Sequence, residues 1–407
     1  MAVYWLRSYS GVMLLVAFLV NLATGFVQFG FSLTLPSMEE SLHLSHTEAG
    51  LLITIGAAIR IGSALASGTL APRYGSRSMI AAGTVAVGFS MVLLGFSRNY
   101  GMAVGASVLM GIGGGAALTP MMGLLSAWFL MHDRGLAAGL AASGGSIAFI
   151  VAGVFVPILT GANWEDGWRH SWQLFGGIVI AVAVVSLLFV RERPPEHLEP
   201  DSRLHGNNRV RPARSAWPVE AFKSPAVWLI ALIAFTSGWA QNLFTTFFGL
   251  YLTQEEGVSL ATVGRLVVLI GVLSIGSGIL WGWMSDKLGR GQAFAYSFVV
   301  QGASFVLLAM VPGYVSFLIA SILMGVTLRA TYTICAASSG DYVPVRFSAA
   351  AFALMSVGAG LGSTISPTIG GLVADYVAMK WVFWMATGGS VVGTIGAIYL
   401  QTRRRTE

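Results

Sequence analysis

The chain is 407 residues long, 55% hydrophobic and only 10% charged, with a formal net charge of +6. Soluble domains carry about a quarter charged residues, so this composition excludes a water-facing globular surface and points to the bilayer as solvent. The positive balance would suit nucleic acid, but the cations sit in short segments beside apolar runs, so no nucleic-acid partner is expected and membrane lipid is.

A span needs about 20 mostly apolar residues. The first run, from Val12 to about Leu35, follows Arg7. It is too long for a signal-peptide core and ends without a clear cleavage site, so it reads as a retained span at 11–36. Five more runs follow at 47–71, 78–97, 100–129, 135–160 and 170–190. Then comes a long polar segment, Arg191 to Lys223, carrying Pro194, Pro195, Pro200, Pro212 and Pro218 with mixed charge. It has no apolar set from which to build a core and reads as a surface linker. Six further runs lie at 225–252, 261–284, 292–311, 313–337, 347–373 and 380–401. The expected fold is all-α and membrane-integral: twelve spans in two pseudo-symmetric six-helix bundles, 1–190 and 225–407, joined by a cytoplasmic linker at 191–224.

Lysine and arginine mark the cytoplasmic side of a membrane protein. With both termini inside, seventeen of the 23 cations fall on the inner side. Four (Arg98, Arg169, Arg265 and Lys380) fall on the outer side, and Arg60 and Arg329 lie within spans. This bias predicts a multi-pass protein of the inner membrane with cytoplasmic termini. The 51 glycines suit close contact between membrane helices. The single cysteine, Cys335, excludes an internal disulfide and is expected to pack. A monomer is expected.

The two halves also repeat. After the second span, Gly68 is followed by Pro72, Arg73, Gly75 and Arg77; after the eighth, Gly282 is followed by Asp286, Lys287, Gly289 and Arg290. The copies stand six spans apart, as internal duplication requires.

On these residues the chain resembles the major facilitator superfamily over essentially its whole length. The loop pattern glycine-x-leucine-x-aspartate-arginine-x-glycine-arginine is that superfamily's signature. The resemblance implies a cytoplasmic gating latch formed by Gly282, Asp286, Lys287 and Arg290, with Arg73 and Arg77 in the first copy. The first copy departs, with Pro72 at the acidic position, and Ser107 replaces the arginine usual in the fourth span. The stretch from Trp128 to Gly145, and that from Phe222 to Trp228, look like the starts of the fifth and seventh helices of the monocarboxylate and oxalate–formate transporters. Members of that group carry an arginine in helix eight and a lysine in helix eleven; here Gly278 and Met355 occupy those places. Tyr332 aligns with a pocket tyrosine, and Gln28 stands where another is common.

Arg60 lies mid-span, where a charge costs about 2.5–3.5 kcal/mol on insertion scales. It either binds an anion, since guanidinium forks match carboxylates, or bonds carbonyls structurally. The same alternatives hold for Arg329, which has Tyr332 three residues on, on a shared face. Asn21, Thr24 and Gln28 share a face of the first span, and Trp239, Gln241 and Asn242 cluster in the seventh. These polar groups read as substrate contacts or as interhelical bonds. No carboxylate lies in mid-span: Asp341 and Asp375 fall near helix ends, and Glu39, Glu40, Glu255 and Glu256 in outer loops. No histidine is expected within the membrane either, so no proton-coupling group is evident. Exchange, facilitated movement, or a proton carried with the solute remain open.

No metal-binding His pair, phosphate loop or nucleophile elbow occurs, so neither an enzyme nor a cofactor is expected. The expected function is secondary active or facilitative transport of a small organic anion, monocarboxylate-like, by alternating access. Arg60, Arg329, Tyr332, Gln28, Gln241 and Asn242 are the expected contacts. Two alternatives are export of an amphiphilic or lipophilic compound along the aromatic Phe235–Phe248 stretch, and a membrane receptor or assembly factor that binds without transporting.

Overall fold

Apolar runs of this length become helices because hydrocarbon offers backbone amides no water, and a helix satisfies them within the segment. In the computed structural model, the described residues are 9–129, 134–162, 166–192, 223–338, 341–343 and 348–404. Among them there is no strand, and twelve spans are long and apolar enough to cross a membrane. Helices α1 (Tyr9–Leu42), α2 (His46–Tyr74), α3 (Ser76–Gly95), α4 (Tyr100–Trp128), α5 (Arg134–Ala162) and α6 (Gly167–Phe189) form the first six. The second six begin with α7 (Pro225–Leu250), prolonged by a wider turn at Tyr251–Glu255. They continue with α8 (Leu260–Leu288) and α9 (Arg290–Met310). The tenth span is broken into α10 (Tyr314–Thr327) and α11 (Ala330–Ser338), and α12 (Ser348–Tyr376) and α13 (Lys380–Arg404) close the series. Most of the expected linker, and residues 130–133 of the stretch before α5, lie outside the described residues.

Helix ends follow caps, not hydropathy. Helix α1 runs past its apolar run to Leu42, where His43 turns left-handed at φ 52° and the Leu44 amide donates to the Glu39 carbonyl at 2.9 Å. Glu39 and Glu40 therefore lie in a helix and not in the outer loop expected for them, and Glu39 is 5% exposed. Helix α2 starts on a reciprocal cap: the Ser45 amide donates to the Glu48 carboxylate at 2.9 Å, and the Glu48 amide to the Ser45 hydroxyl at 3.2 Å. Glu255, expected in a loop, belongs to the wider turn that prolongs α7. Asp286 and Lys287 complete the last turn of α8, which stops at Gly289 with φ 93°. Gly75, at φ 84°, makes the corresponding turn between α2 and α3.

The chain divides into two compact units. The first comprises Met1–Gln28, Ala58–Ala148 and Arg169–Trp217. Its core gathers Met13, Val16, Val20, Ile80, Met121 and Trp128. Glycines bring its helices together: Gly83 of α3 faces Gly113 of α4, and Gly25 of α1 faces Gly145 of α5. One edge is pinned by Tyr9, whose hydroxyl donates to the Phe189 carbonyl at 2.7 Å beneath the Arg191 guanidinium, 3.9 Å from the ring.

The second unit comprises Phe29–Ala57, Phe149–Trp168 and Pro218–Glu407. It joins the α1–α2 turn and the end of α5 to helices α7–α13. Its core holds Ile230, Ile233, Trp281, Phe294, Phe298, Ile334 and Cys335, which packs as expected. Small residues again set the spacing: a side-chain carbon at Gly153 would lie 2.8 Å from the Gly264 carbonyl oxygen, and one at Gly362 2.8 Å from the Trp239 amide.

Within α4 the same residue type has opposite consequences. A side-chain carbon at Gly113 would lie 2.6 Å from the Gly83 oxygen and 2.8 Å from the Val87 amide, whereas Gly105 has nothing within 4 Å. Overpacking typically costs about 1–3 kcal/mol. Gly113→Val is expected to lower the apparent melting temperature in detergent, and Gly105→Val to leave it near the wild-type value. Equal effects from both would show that this crossing does not set stability.

Candidate functional site

Helix α2 crosses α4 at a glycine run, and that crossing shapes the surroundings of Arg60. The Ser67 hydroxyl donates to the Gly115 carbonyl at 3.1 Å, closing the two backbones together. A side-chain carbon at Gly114 would stand 3.4 Å from Arg60 Cδ, in ordinary contact with the arginine stem. Arg60 is half-buried as a residue, and no hydrogen bond or ion pair joins its guanidinium to any described residue. A charge in mid-span is costly unless it faces a cavity or a partner.

Arg329 stands at the break between α10 and α11. There the Val326 carbonyl accepts from the Ser277 hydroxyl at 2.6 Å and from the Trp281 indole at 2.8 Å, both on α8. The Arg329 amide donates to Ser277 Oγ at 3.3 Å. One serine and one tryptophan thus satisfy backbone groups that a continuous helix would pair internally. Gly278 faces this break: a side chain there would begin 3.8 Å from Arg329 Cβ and 3.2 Å from Thr333 Oγ1. Tyr332 is 48% exposed and edge-on to Phe352 at 5.6 Å.

The remaining candidates differ among themselves. Gln28 is exposed and has no bonded partner among the described residues. Gln241 donates to Ser237 Oγ at 3.1 Å, and Ser237 to Thr331 at 2.8 Å, tying α7 to α11. Asn242 is buried, and its amide bonds the Ser363 carbonyl of α12. Asn21 and Thr24 bond carbonyls of their own helix. The structure brings Arg329, Tyr332 and Gln241 into one unit and Arg60 and Gln28 into the other.

In the second motif copy, Arg290 is the hub. It donates to Asp286 at 2.6 Å, to Ser285 at 2.6 Å and to Asp341 at 2.8 Å. Lys287 stacks over Trp283 at 4.3 Å, and Gly282 abuts Thr333. In the first copy, Arg77 donates to the Leu187 carbonyl at 2.8 Å, and Arg73 lies over the Tyr74 ring at 5.6 Å.

One group escaped sequence reasoning. Glu39 and His46 meet across the α1–α2 turn at 3.1 Å. The signal that would have found them is the Ser45-x-x-Glu48 capping pattern. It fixes where α2 begins and so places His46 in its first turn.

The chain matches the Major Facilitator Superfamily over residues 17–314 and again over 230–407. It is 22% identical to the probable sulfoacetate transporter of Cupriavidus necator over 96% of this chain and 92% of that one. It is 24% identical to the phosphoglycerate transporter protein of Salmonella typhimurium over 97% of this chain and 89% of that one. Among solved structures, a bacterial homologue of the human lysosomal transporter Spinster superposes with a TM-score of 0.78, covering 98% of each chain at 17% identity.

If Arg60 holds no structural bond, replacing it relieves a cost. Arg60→Gln is expected to raise the apparent melting temperature of the ligand-free protein, by about 1–3 °C. A fall of several degrees would mean that the guanidinium supports the fold.

Proposed function

The chain belongs to the major facilitator superfamily, and on that premise we propose that it moves a small organic anion, monocarboxylate-like, across the inner membrane by alternating access. The observation that carries the reading is Arg60, a mid-span cation that no described residue bonds. A guanidinium offers a planar fork of donors to a carboxylate or sulfonate and stays charged at any physiological pH. Arg329, the other cation within a span, is assigned the same role. The resembling transporters carry their arginine in helix eight at the place of Gly278, and here Arg329 of the neighbouring span stands beside that glycine. A cation lost from one helix is thus supplied by the next.

Gln28, Gln241 and Tyr332 are assigned as orienting contacts. Asn242, turned into α12, supports the seventh span. Arg290 is assigned to the gate: its bonds to both Asp286 and Asp341 tie the end of α8 to the residues after α11 and must part if those elements separate. Two relatives named for acid-bearing solutes, sulfoacetate and phosphoglycerate, fit an anionic cargo. The orientation with both termini cytoplasmic follows from the distribution of lysine and arginine.

A thermal-shift series in detergent tests this reading. Small carboxylates, sulfonates, phosphate esters and lipophilic cations are each titrated against wild type, Arg60→Gln and Arg329→Gln. A ligand that binds the native state raises the apparent melting temperature by mass action. Stabilisation by a carboxylate that either Gln variant loses while staying folded supports the anion site. Response to lipophilic compounds alone would replace it with the exporter reading. Stabilisation by an anion without flux in proteoliposomes would favour a receptor, for which the acid missing at Pro72 is the motivating feature.

A further inference from the structure

The second unit contains a titratable pair, a buried Glu39 and a half-buried His46, that the proposed transport site does not use. The Glu39 side chain is almost wholly buried in the last turns of α1. Both carboxylate oxygens lie 3.1 Å from His46 Nδ1, and Gln254 Nε2 reaches Oε2 at 3.3 Å. Among the described residues these are its bonds, and no lysine or arginine pairs with it. A buried carboxylate without a fixed cation must be matched by a proton, on itself or on its neighbour.

Among the described residues, the charges acting on His46 all have one sign. Glu39 faces it from α1, Asp375 from α12 and Glu255 from the turn that ends α7. Asp375 accepts from the His46 amide at 3.0 Å and the Thr47 amide at 2.8 Å, and also from the Thr47 hydroxyl. Glu255 accepts from the Met379 amide at 3.1 Å. On α2 itself, Glu48 is held by Ser45. Among the described residues, His46 is the one group beside these carboxylates that can take up a positive charge.

The pair also sits on a seam with no slack. A side-chain carbon at Gly371 would lie 2.7 Å from the His46 carbonyl carbon, and one at Gly50 2.7 Å from that of Pro367. Thr368 donates to Thr54 at 2.8 Å, and Thr54 to the Thr364 carbonyl at 2.8 Å. Gly249 of α7 presses on Ser32 of α1 in the same way. Whatever changes the charge at His46 acts directly on the packing of α1, α2, α7 and α12.

We propose that Glu39 and His46 form a proton-binding site that holds these four helix ends together. With His46 neutral, Nδ1–H donates to ionised Glu39, and the three carboxylates confront an uncharged ring. An incoming proton goes to Nε2, makes the ring a cation and converts the contact into an ion pair without breaking the Nδ1 bond. Loss of that proton leaves carboxylate repulsion across the seam and favours its opening. The site lies on the side that the lysine and arginine distribution assigns to the outside, so the protons it senses are external. The proposal rests on the geometry of this unit and is independent of the solute.

Hydrogen–deuterium exchange of the full chain in detergent tests it, at about pH 5.5 and about pH 8, on either side of the ordinary histidine range. Rates are corrected for intrinsic chemical exchange. In wild type, peptides covering residues 42–50 and 371–379 should exchange several-fold faster at the higher pH. Glu39→Gln and His46→Gln should abolish the difference, while Arg265→Gln, an exposed cation of α8, should keep it. If wild type shows no pH difference in these peptides, the proposal fails. It also fails if His46→Gln retains the difference, whether or not Glu39→Gln folds.

Discussion

In hydrocarbon no water is available to a backbone amide, and each amide left unpaired costs several kcal/mol. That constraint turns every long apolar run of this chain into a helix. It also explains the one interruption within a described span. At the break between α10 and α11, Val326 loses its partner within the helix and gains two on α8, Ser277 and Trp281. The break persists because a neighbour satisfies it, and it places Arg329 where the helix changes course.

Helices that all face lipid gain little hydrophobic energy from touching one another, so contact distance becomes the deciding variable. Glycine supplies it. Gly83 against Gly113, Gly153 against Gly264 and Gly50 against Pro367 bring backbones so close that a methyl group would collide. Gly114 differs: a side-chain carbon there would only touch the Arg60 stem, at 3.4 Å.

The charged groups separate into three kinds by their partners. Arg290 is saturated by two carboxylates and a hydroxyl and behaves as a fastener. Arg60 is bonded to no described residue, and the anion proposed as cargo is the partner it lacks. Glu39 and His46 have each other, and the state of that contact turns on a single proton. A charge in a low-dielectric setting needs a partner, and the identity of the partner decides whether it serves structure, cargo or control.

Sequence alone determined the number of spans, the class of fold and the duplicated motif, because hydropathy and the Gly75 and Gly289 turns are local properties. It also singled out Arg60 and Arg329, since a charge amid apolar residues is visible without coordinates. Tertiary structure alone decided which polar residues are already occupied. Asn242 and Gln28 look equivalent in the sequence, yet one bonds α12 and the other has no bonded partner among the described residues. Glu39 looked like a loop acid because hydropathy falls after Leu35, while the helix continues to the left-handed turn at His43. Its burial depends on Gln254, more than two hundred residues away in the chain. Such a partnership is set by how helices assemble in three dimensions, and no local pattern encodes it.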